Sequence, residues 1–363
     1  MGIKTIRIQN YKSMRDSGDI EIKPLNVLIG PNGAGKSNFI NFFEFLNKLY
    51  DQQLQLYISK NGRADNFLYF GRKTSEFLSG VVTFDNDWRN QYQFKMVPDQ
   101  SGNLIFAEEW SNIHNLGSVD PDNKRINMSG SLESYLKTDD SYRTGYLRIF
   151  FESMKVFHFH DTSFTSKMKQ PATTNDYAYL YEDGGNIASF LYRLQEGHEK
   201  HFRMIERVIK SIAPFFEKFY LKPDEINPQQ IYLRWLEKGS DQIFSAHNFS
   251  DGTLRMICLT TLLMQPELPN TIIIDEPELG LHPFAINKLA AIIQSASVTS
   301  QIIVSTQSVN FVNEFKPEDI IIVERAEHQS VFKRLSSGEL NEWLDEYSLG
   351  ELWEKNLLGG RPL

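Results

Sequence analysis

The sequence predicts an α/β fold with a mixed central sheet and an antiparallel β subdomain. Three observations predict it. A short apolar strand runs into a glycine-rich loop and then a helical pattern, across Leu25–Tyr50. Strand-length runs separated by turn residues fill residues 80–110. From Thr253 onward strand and helix patterns alternate, which implies parallel pairing in a covered sheet.

Each element has a local reason. Ile3, Ile6 and Ile8 are β-branched, Ile20 and Ile22 alternate with Glu21 and Lys23, and Leu25–Ile29 is a short apolar run. Gly30-Pro31-Asn32-Gly33 breaks that strand, and from Lys36 the residues Phe39, Ile40, Phe43, Leu46, Leu49 and Tyr50 recur at helical spacing. Val81–Phe84, Tyr92–Met96 and Leu104–Phe106 read as a meander with Asp, Asn and Gly turns. Residues 111–145 are polar and predict a long loop. A strand is expected over Lys155–His160, helices over Ile187–Leu194 and Phe202–Phe216, and a strand over Ile231–Leu236. The remainder reads as helix Thr253–Met264, strand Thr271–Asp275, helix Phe284–Ile293, strand Ile302–Ser305, a short helix, and strand Ile320–Val323. There is no internal repeat and no heptad array.

Composition bounds the function. The 363 residues suffice for one large domain or two interlocked ones, and 41% hydrophobic with 23% charged residues excludes disorder as the main state. The single cysteine, Cys258, excludes an intrachain disulfide and fits a reducing, cytoplasmic setting. No apolar run approaches the roughly 18–20 residues of a membrane span, so no membrane partner is expected. The N-terminus lacks the apolar core of a secretion signal, and Ile6 stands where Ser or Thr would favour myristoylation. A net charge of −8 argues against a surface that binds nucleic acid everywhere, while leaving a local basic groove open. The late acidic residues, from Glu314 through Glu339, Glu342, Asp345 and Glu346 to Glu354, read as a solvated face of C-terminal helices.

Gly30-Pro31-Asn32-Gly33-Ala34-Gly35-Lys36-Ser37 fits the phosphate-loop pattern GxxxxGK[ST] at a strand-to-helix switch. Glycines let backbone N–H groups converge on phosphates, and the following helix aims its positive end at them. Lys36 is the expected contact of the β- and γ-phosphates, Ser37 a ligand of Mg²⁺, and Asn38 a further nucleotide contact. A second motif follows strand Thr271–Ile274. Asp275 is the expected Mg²⁺ ligand, and Glu276, one residue on, the group that orients or deprotonates the attacking water. Between them, Asn248–Arg255 offers Ser250 as a helix cap, with Asp251 and Gly252 at the helix start.

In this order and context, Asn248–Arg255 resembles an ABC-type signature, Glu278–Pro283 a D-loop, and Val304-Ser305-Thr306-Gln307-Ser308 a switch segment. Together with the two phosphate motifs they resemble AAA family ATPases of the RecF/SMC type, in their short stand-alone bacterial form. The resemblance covers residues 1–75 and 245–325. It implies an ABC-type ATPase head with a compact helical lid: an N-terminal lobe over 1–110, a lid or insert over 111–240, and a C-terminal lobe over 241–363. It implies ATP and Mg²⁺ as cofactors and a homodimer, or a higher assembly built from head-to-tail dimers. Ser250, Asp251 and Gly252 would then contact the nucleotide of the opposite subunit. It further implies a switch or sensor in anti-phage defence with a separate nuclease or toxin effector. The alternative is a RecF-like DNA-repair ATPase that binds DNA directly, and a transporter subunit fits less well. The switch residue, commonly His, is Gln307 here; an amide can hydrogen-bond the γ-phosphate or water but carries no charge, so slow hydrolysis is expected. Without heptads, long coiled-coil arms are excluded.

Three weaker signals stay open. His158, His160 and Asp161 read as a metal site, a nucleotide-facing strand end, or a polar terminus. In Asn10-Tyr11-Lys12-Ser13, Lys12 is a nucleotide contact or part of a surface turn. Phe67–Arg72 is core or a nucleotide contact, and the basic stripe His201, Arg203, Arg207 and Lys210 faces DNA, a partner or solvent.

Overall fold

The helix Lys36–Tyr50 buries Phe39, Ile40, Phe42, Phe43, Phe45, Leu46 and Leu49, leaving a polar strip at Asn38, Asn41, Glu44 and Lys48. A helix this apolar needs cover on more than one side. It receives it from two sheets: the Phe42 ring lies 6.3 Å from Phe94 on one, and the Phe39 ring 5.3 Å from Phe332 on the other. Each fully buried phenylalanine contributes about 2–3 kcal/mol of transfer free energy.

The protein is seen here as a computed structural model that describes residues 2–86, 88–113, 122–336, 338, 340, 343 and 346–359. The chain divides into two units, one of residues 1–155, 269–273 and 300–363, the other of residues 156–268 and 274–299.

In the first unit, strands Met14–Asp16, Ile3–Tyr11, Leu78–Phe84, Asn90–Pro98, Leu104–Ile113 and Asp122–Arg125 follow one another in an antiparallel sheet, with Ile20–Glu21 also paired to Ile3–Tyr11. Alternate burial along Leu78–Phe84 and Asn90–Met96 shows one face against the core. The other sheet has the order Gln329–Arg334, Ile320–Ala326, Leu25–Ile29, Gln301–Ser305, Thr271–Asp275, Met154–Phe157. Leu25–Ile29 is parallel to both Gln301–Ser305 and Ile320–Ala326, and is buried at all five residues. Parallel pairing therefore holds, as the alternation of strand and helix implies.

In the second unit the helix Asp251–Met264 packs against Glu199–Ile212 and Pro283–Ala296 and is buried from Met256 to Leu263. A three-stranded antiparallel sheet, Phe216–Phe219, Arg234–Glu237 and Ile243–Ser245, carries an aromatic cluster. Trp235 stacks on Phe249 at 4.7 Å and on Phe244 at 4.9 Å.

Several expectations need correcting. Residues 111–145 are not one loop: the third meander strand runs to Ile113, Asp122–Arg125 is a strand, and a helix opens at Tyr142. Residues 114–121 lie outside the described residues. The polar start of helix Tyr142–Ser153, with Gly145 inside it, hid the pattern, but Phe150 and Phe151 pack on Phe84 at 4.4 Å and Tyr92 at 5.3 Å. The strand expected over Lys155–His160 is Met154–Phe157, so His158 and His160 lie past its end. The helix expected to reach Phe216 stops at Ile212, because Pro214 turns Ala213 out of helical geometry. Ile231–Leu236 is two strands, Gln230–Ile231 and Arg234–Glu237. Of the late acidic residues, Glu339, Glu342 and Asp345 lie outside the described residues.

Candidate nucleotide site

The phosphate loop of the first unit leaves the buried strand Leu25–Ile29 and enters the helix Lys36–Tyr50. Gly35 is that helix's N-cap, with φ of 116°. A Cβ there would stand 2.1 Å from Ser330 Oγ and 2.8 Å from Ser13 Oγ, so only glycine fits. Gly35 offers the helix no side-chain cap, and the first turn holds no acidic residue. A helix end of this kind favours an anion. Lys36 is 4% exposed; its ammonium donates to the carbonyls of Gly30 at 2.7 Å and Pro31 at 3.1 Å. Asn32, Gly33 and Ser37 are exposed and Ala34 is buried.

A buried hydroxyl pair braces this loop. Ser330 Oγ lies 2.7 Å from Ser13 Oγ and 2.6 Å from the Ala34 carbonyl. Asn38 donates to Ser13 Oγ at 2.8 Å, and the Ser330 amide donates to the Ser13 carbonyl at 2.8 Å. Sequence reading missed Ser330, which stands 296 residues from Ala34 and belongs to no motif. Lys12 stands beside this brace, half-buried, with its ammonium 5.5 Å from the Tyr11 ring centre and 5.8 Å from that of Phe67. Burial holds the Lys12 ammonium below its ordinary pKa, Glu44 opposing. Phe67, Leu68 and Tyr69 are buried core, whereas Phe70 is exposed and Arg72 pairs with Asp65 at 2.8 Å.

Gln307 shares the loop's edge of the sheet. Ser305 is in register with Leu28, and the Thr306 amide donates to the Leu28 carbonyl at 2.9 Å. Gln307, the next residue, is exposed beyond the carboxyl end of its strand. Parallel α/β sheets bind ligands outside this edge.

The second unit holds the other motif residues. Asp275 and Glu276 are half-buried, and Glu276 sits at φ of 42°, in the left-handed region. A non-glycine residue held there signals an over-determined turn of the kind found at functional sites. His160 Nε2 lies 2.9 Å from the Asp275 carbonyl. Arg255, also unremarked in the sequence, donates to three carbonyls: Phe159 at 3.2 Å, His160 at 2.9 Å and Leu279 at 2.5 Å. It thereby joins helix Asp251–Met264 to the segments after strands Met154–Phe157 and Thr271–Asp275. Ser250 caps that helix, accepting from the Thr253 amide at 3.3 Å. Ser250 and Asp251 are exposed, and Lys169 approaches Asp251 at 3.9 Å. A Cβ on Gly252 would fall 2.5 Å from the Gly280 carbonyl, so Gly252 and Gly280 meet through bare backbone.

His158, His160 and Asp161 do not converge. His158 donates its amide to the Glu182 carbonyl, and Ser163 holds the exposed Asp161 carboxyl below the usual carboxylate range. Among the described residues no group of three or more His, Cys, Asp or Glu is arranged to hold a metal. On the stripe His201–Lys210, Arg203 is paired with Glu199 at 2.5 Å and Lys210 with Glu217 at 3.5 Å.

A braced glycine-rich loop thus stands at the carboxyl edge of a parallel sheet, with a buried lysine at the start of the helix behind it, in a fold of the SMC head type. The fold is similar to a crystal structure of the SmcHead bound to the C-winged helix domain of ScpA, with a TM-score of 0.63 over 94% of this chain and 100% of that one, at 14% identity. Residues 25–313 match the family described as "AAA domain, putative AbiEii toxin, Type IV TA system", and the chain belongs to that family. It is similar to the Old nuclease of Escherichia phage P2, at 23% identity over 94% of this chain and 62% of that protein. It is also similar to an ATP/GTP phosphatase of Helicobacter pylori, at 24% identity over 38% of this chain and 37% of that one. The chain spans less than two thirds of the length of the curated relatives it matches. Among the described residues no helix is long and apolar enough to cross a membrane.

Proposed function

We propose that this chain is a slow, Mg²⁺-dependent ATPase that closes on ATP as a head-to-tail homodimer, or a higher assembly of such dimers, and signals to a separate effector. The observation that carries the reading is the braced glycine loop, with the helix start behind it and its lysine. The loop fits a triphosphate: Gly30 and Gly35 leave no room for Cβ atoms, and its charge is positive where phosphate charge would lie.

In this reading Gly30–Asn38 cradle the phosphates, Lys36 sets its ammonium against the β- and γ-phosphates, and Lys12 adds a second cation. Ser37 and Asp275 hold Mg²⁺, which when bound neutralises phosphate charge. Glu276 orients the attacking water and takes its proton. Gln307 hydrogen-bonds the γ-phosphate or that water without adding charge, and hydrolysis is correspondingly slow. Ser250, Asp251 and Gly252 contact the nucleotide of the opposite subunit.

A role in anti-phage defence, with a toxin or nuclease as the effector, draws support from the family's description and from the phage nuclease among the relatives. Hydrolysis by wild type and Glu276→Gln tests the reading. The variant should bind ATP as wild type does, accumulate as a dimer, and turn over at least tenfold more slowly, since the amide cannot act as the base. Turnover within twofold of wild type would move the catalytic role elsewhere.

A further inference from the structure

Phe70 stands in a place that its chemistry does not explain. Leu68–Gly71 forms a tight turn, closed by the Gly71 amide donating to the Leu68 carbonyl at 3.0 Å. Phe70 is its third residue, with φ of 53°. That position ordinarily selects Gly or Asn, and a bulky side chain there is a strained outlier. Nor does burial repay the strain, because Phe70 is 59% exposed while Phe67, Leu68 and Tyr69 around it are 7% exposed or less. A turn of this kind, kept with an aromatic ring facing solvent, points to a ligand for that ring.

The turn is tied to the glycine loop by main-chain hydrogen bonds. The Lys12 amide donates to the Phe67 carbonyl at 2.8 Å, and the Tyr69 amide to the Asn10 carbonyl at 3.1 Å. Asn10 and Lys12 are themselves left-handed, at 54° and 48°. The next residue, Ser13, is the one that Asn38 and Ser330 hold beside the loop. Three strained non-glycine residues thus lie in two touching turns next to the phosphates' proposed seat. The Phe70 ring is also oriented in advance: it forms a T-shaped pair with Tyr69 at 4.6 Å and 71°, and Tyr69 is anchored by its hydroxyl to the His328 carbonyl at 3.4 Å. A T-shaped pair leaves at least one face of the Phe70 ring to a planar partner.

We infer that Phe70 is the base-stacking residue of this site, its ring packing on the purine of the nucleotide whose phosphates occupy the loop. The inference rests on the phosphate-loop reading, and the test separates the two. Calorimetry would compare Mg-ATP with Mg-tripolyphosphate, which has the phosphates but no base, on wild type, Phe70→Ala and Phe70→Asn. Stacking on one ring predicts an ATP affinity lower by about tenfold in both variants. Tripolyphosphate affinity should stay within twofold of wild type. Phe70→Asn should also melt no lower than wild type, because Asn accepts the left-handed turn, so weaker ATP binding cannot be charged to misfolding. Phe70→Tyr should keep ATP affinity. Unchanged ATP affinity in the Ala and Asn variants would overturn the stacking role, as would an equal loss of ATP and tripolyphosphate binding. Wild-type protein that binds neither would overturn the phosphate-loop reading and the stacking role with it.

Discussion

His160 points its ring Nε2 at the main-chain carbonyl of Asp275, 2.9 Å away. A carbonyl only accepts, so Nε2 carries the proton and the tautomer is fixed by the backbone of the acidic strand. The His160 carbonyl in turn accepts from Arg255 on the signature helix. One arginine and one histidine therefore link the end of the acidic strand to the signature through backbone atoms, which no side-chain pattern advertises.

Arg255→Ala should leave the Phe159, His160 and Leu279 carbonyls without this cation. Its loss should cost about 2–3 kcal/mol, on the scale of hydrogen bonds to a charged group. Chemical denaturation measures the cost, and steady-state kinetics the consequence: kcat should fall by about tenfold with ATP affinity within threefold, because the phosphate loop is untouched. Arg255→Lys should recover little, since one ammonium cannot span three carbonyls as a guanidinium does. A Lys variant with wild-type kcat would remove Arg255 from its positioning role.

The Gly35–Ser330 contact predicts non-additivity. Gly35→Ala forces a Cβ toward Ser330 Oγ in a left-handed conformation, and should cost about 2–3 kcal/mol together with most nucleotide affinity. Ser330→Ala alone should cost about 1–2 kcal/mol by unlinking Ser13 from the Ala34 carbonyl. In the Ser330→Ala background the clash is smaller, so Gly35→Ala should cost less there. A double-mutant cycle with coupling below about 0.5 kcal/mol would contradict the brace.

A buried carboxyl in the antiparallel sheet predicts a pH dependence. Glu109 is fully buried and receives donors from Tyr92 Oη at 2.6 Å, Asn127 Nδ2 at 2.7 Å, Ser134 Oγ, and the Tyr135 amide at 3.3 Å. Burial outweighs these donors and raises its pKa above the ordinary carboxyl value. Between the ordinary and the raised value the folded state holds the extra proton, so stability rises as pH falls through that window. Glu109→Gln cannot titrate. Wild type should therefore gain stability relative to Glu109→Gln on acidification from pH 7 toward 4.5, followed by thermal melts. A constant difference would contradict the raised pKa.

Legibility in the sequence follows the range of the interaction. Leu25–Ile29, Thr271–Asp275 and the glycine loop could be read because strand, breaker and helix signals are all local. The meander could be read from alternation. Helix Tyr142–Ser153 could not, because its start is polar and its apolar face becomes visible only against Phe84 and Tyr92. Phe157 and Phe159, two residues apart, continue the strand pattern of Lys155–His160 although the strand ends at Phe157. Ser330 and Arg255 act through main-chain carbonyls far away in the chain, and a backbone acceptor leaves no mark on the sequence that provides it. Phe70 could be seen as aromatic, but not as strained and exposed.

The central claim is that the signature of one subunit completes the phosphate loop of the other. Mixing two inactive variants, each first shown to be folded, tests it most directly. Lys36→Ala removes the loop's cation, and Ser250→Arg blocks the signature with bulk. A heterodimer of the two carries both lesions in one site and neither in the other. An equal mixture should therefore recover about a quarter of wild-type ATP turnover, half the dimers being mixed and each holding one intact site. Mixtures that stay inactive although the subunits associate, or a Ser250→Arg protein that is fully active alone, would contradict the account.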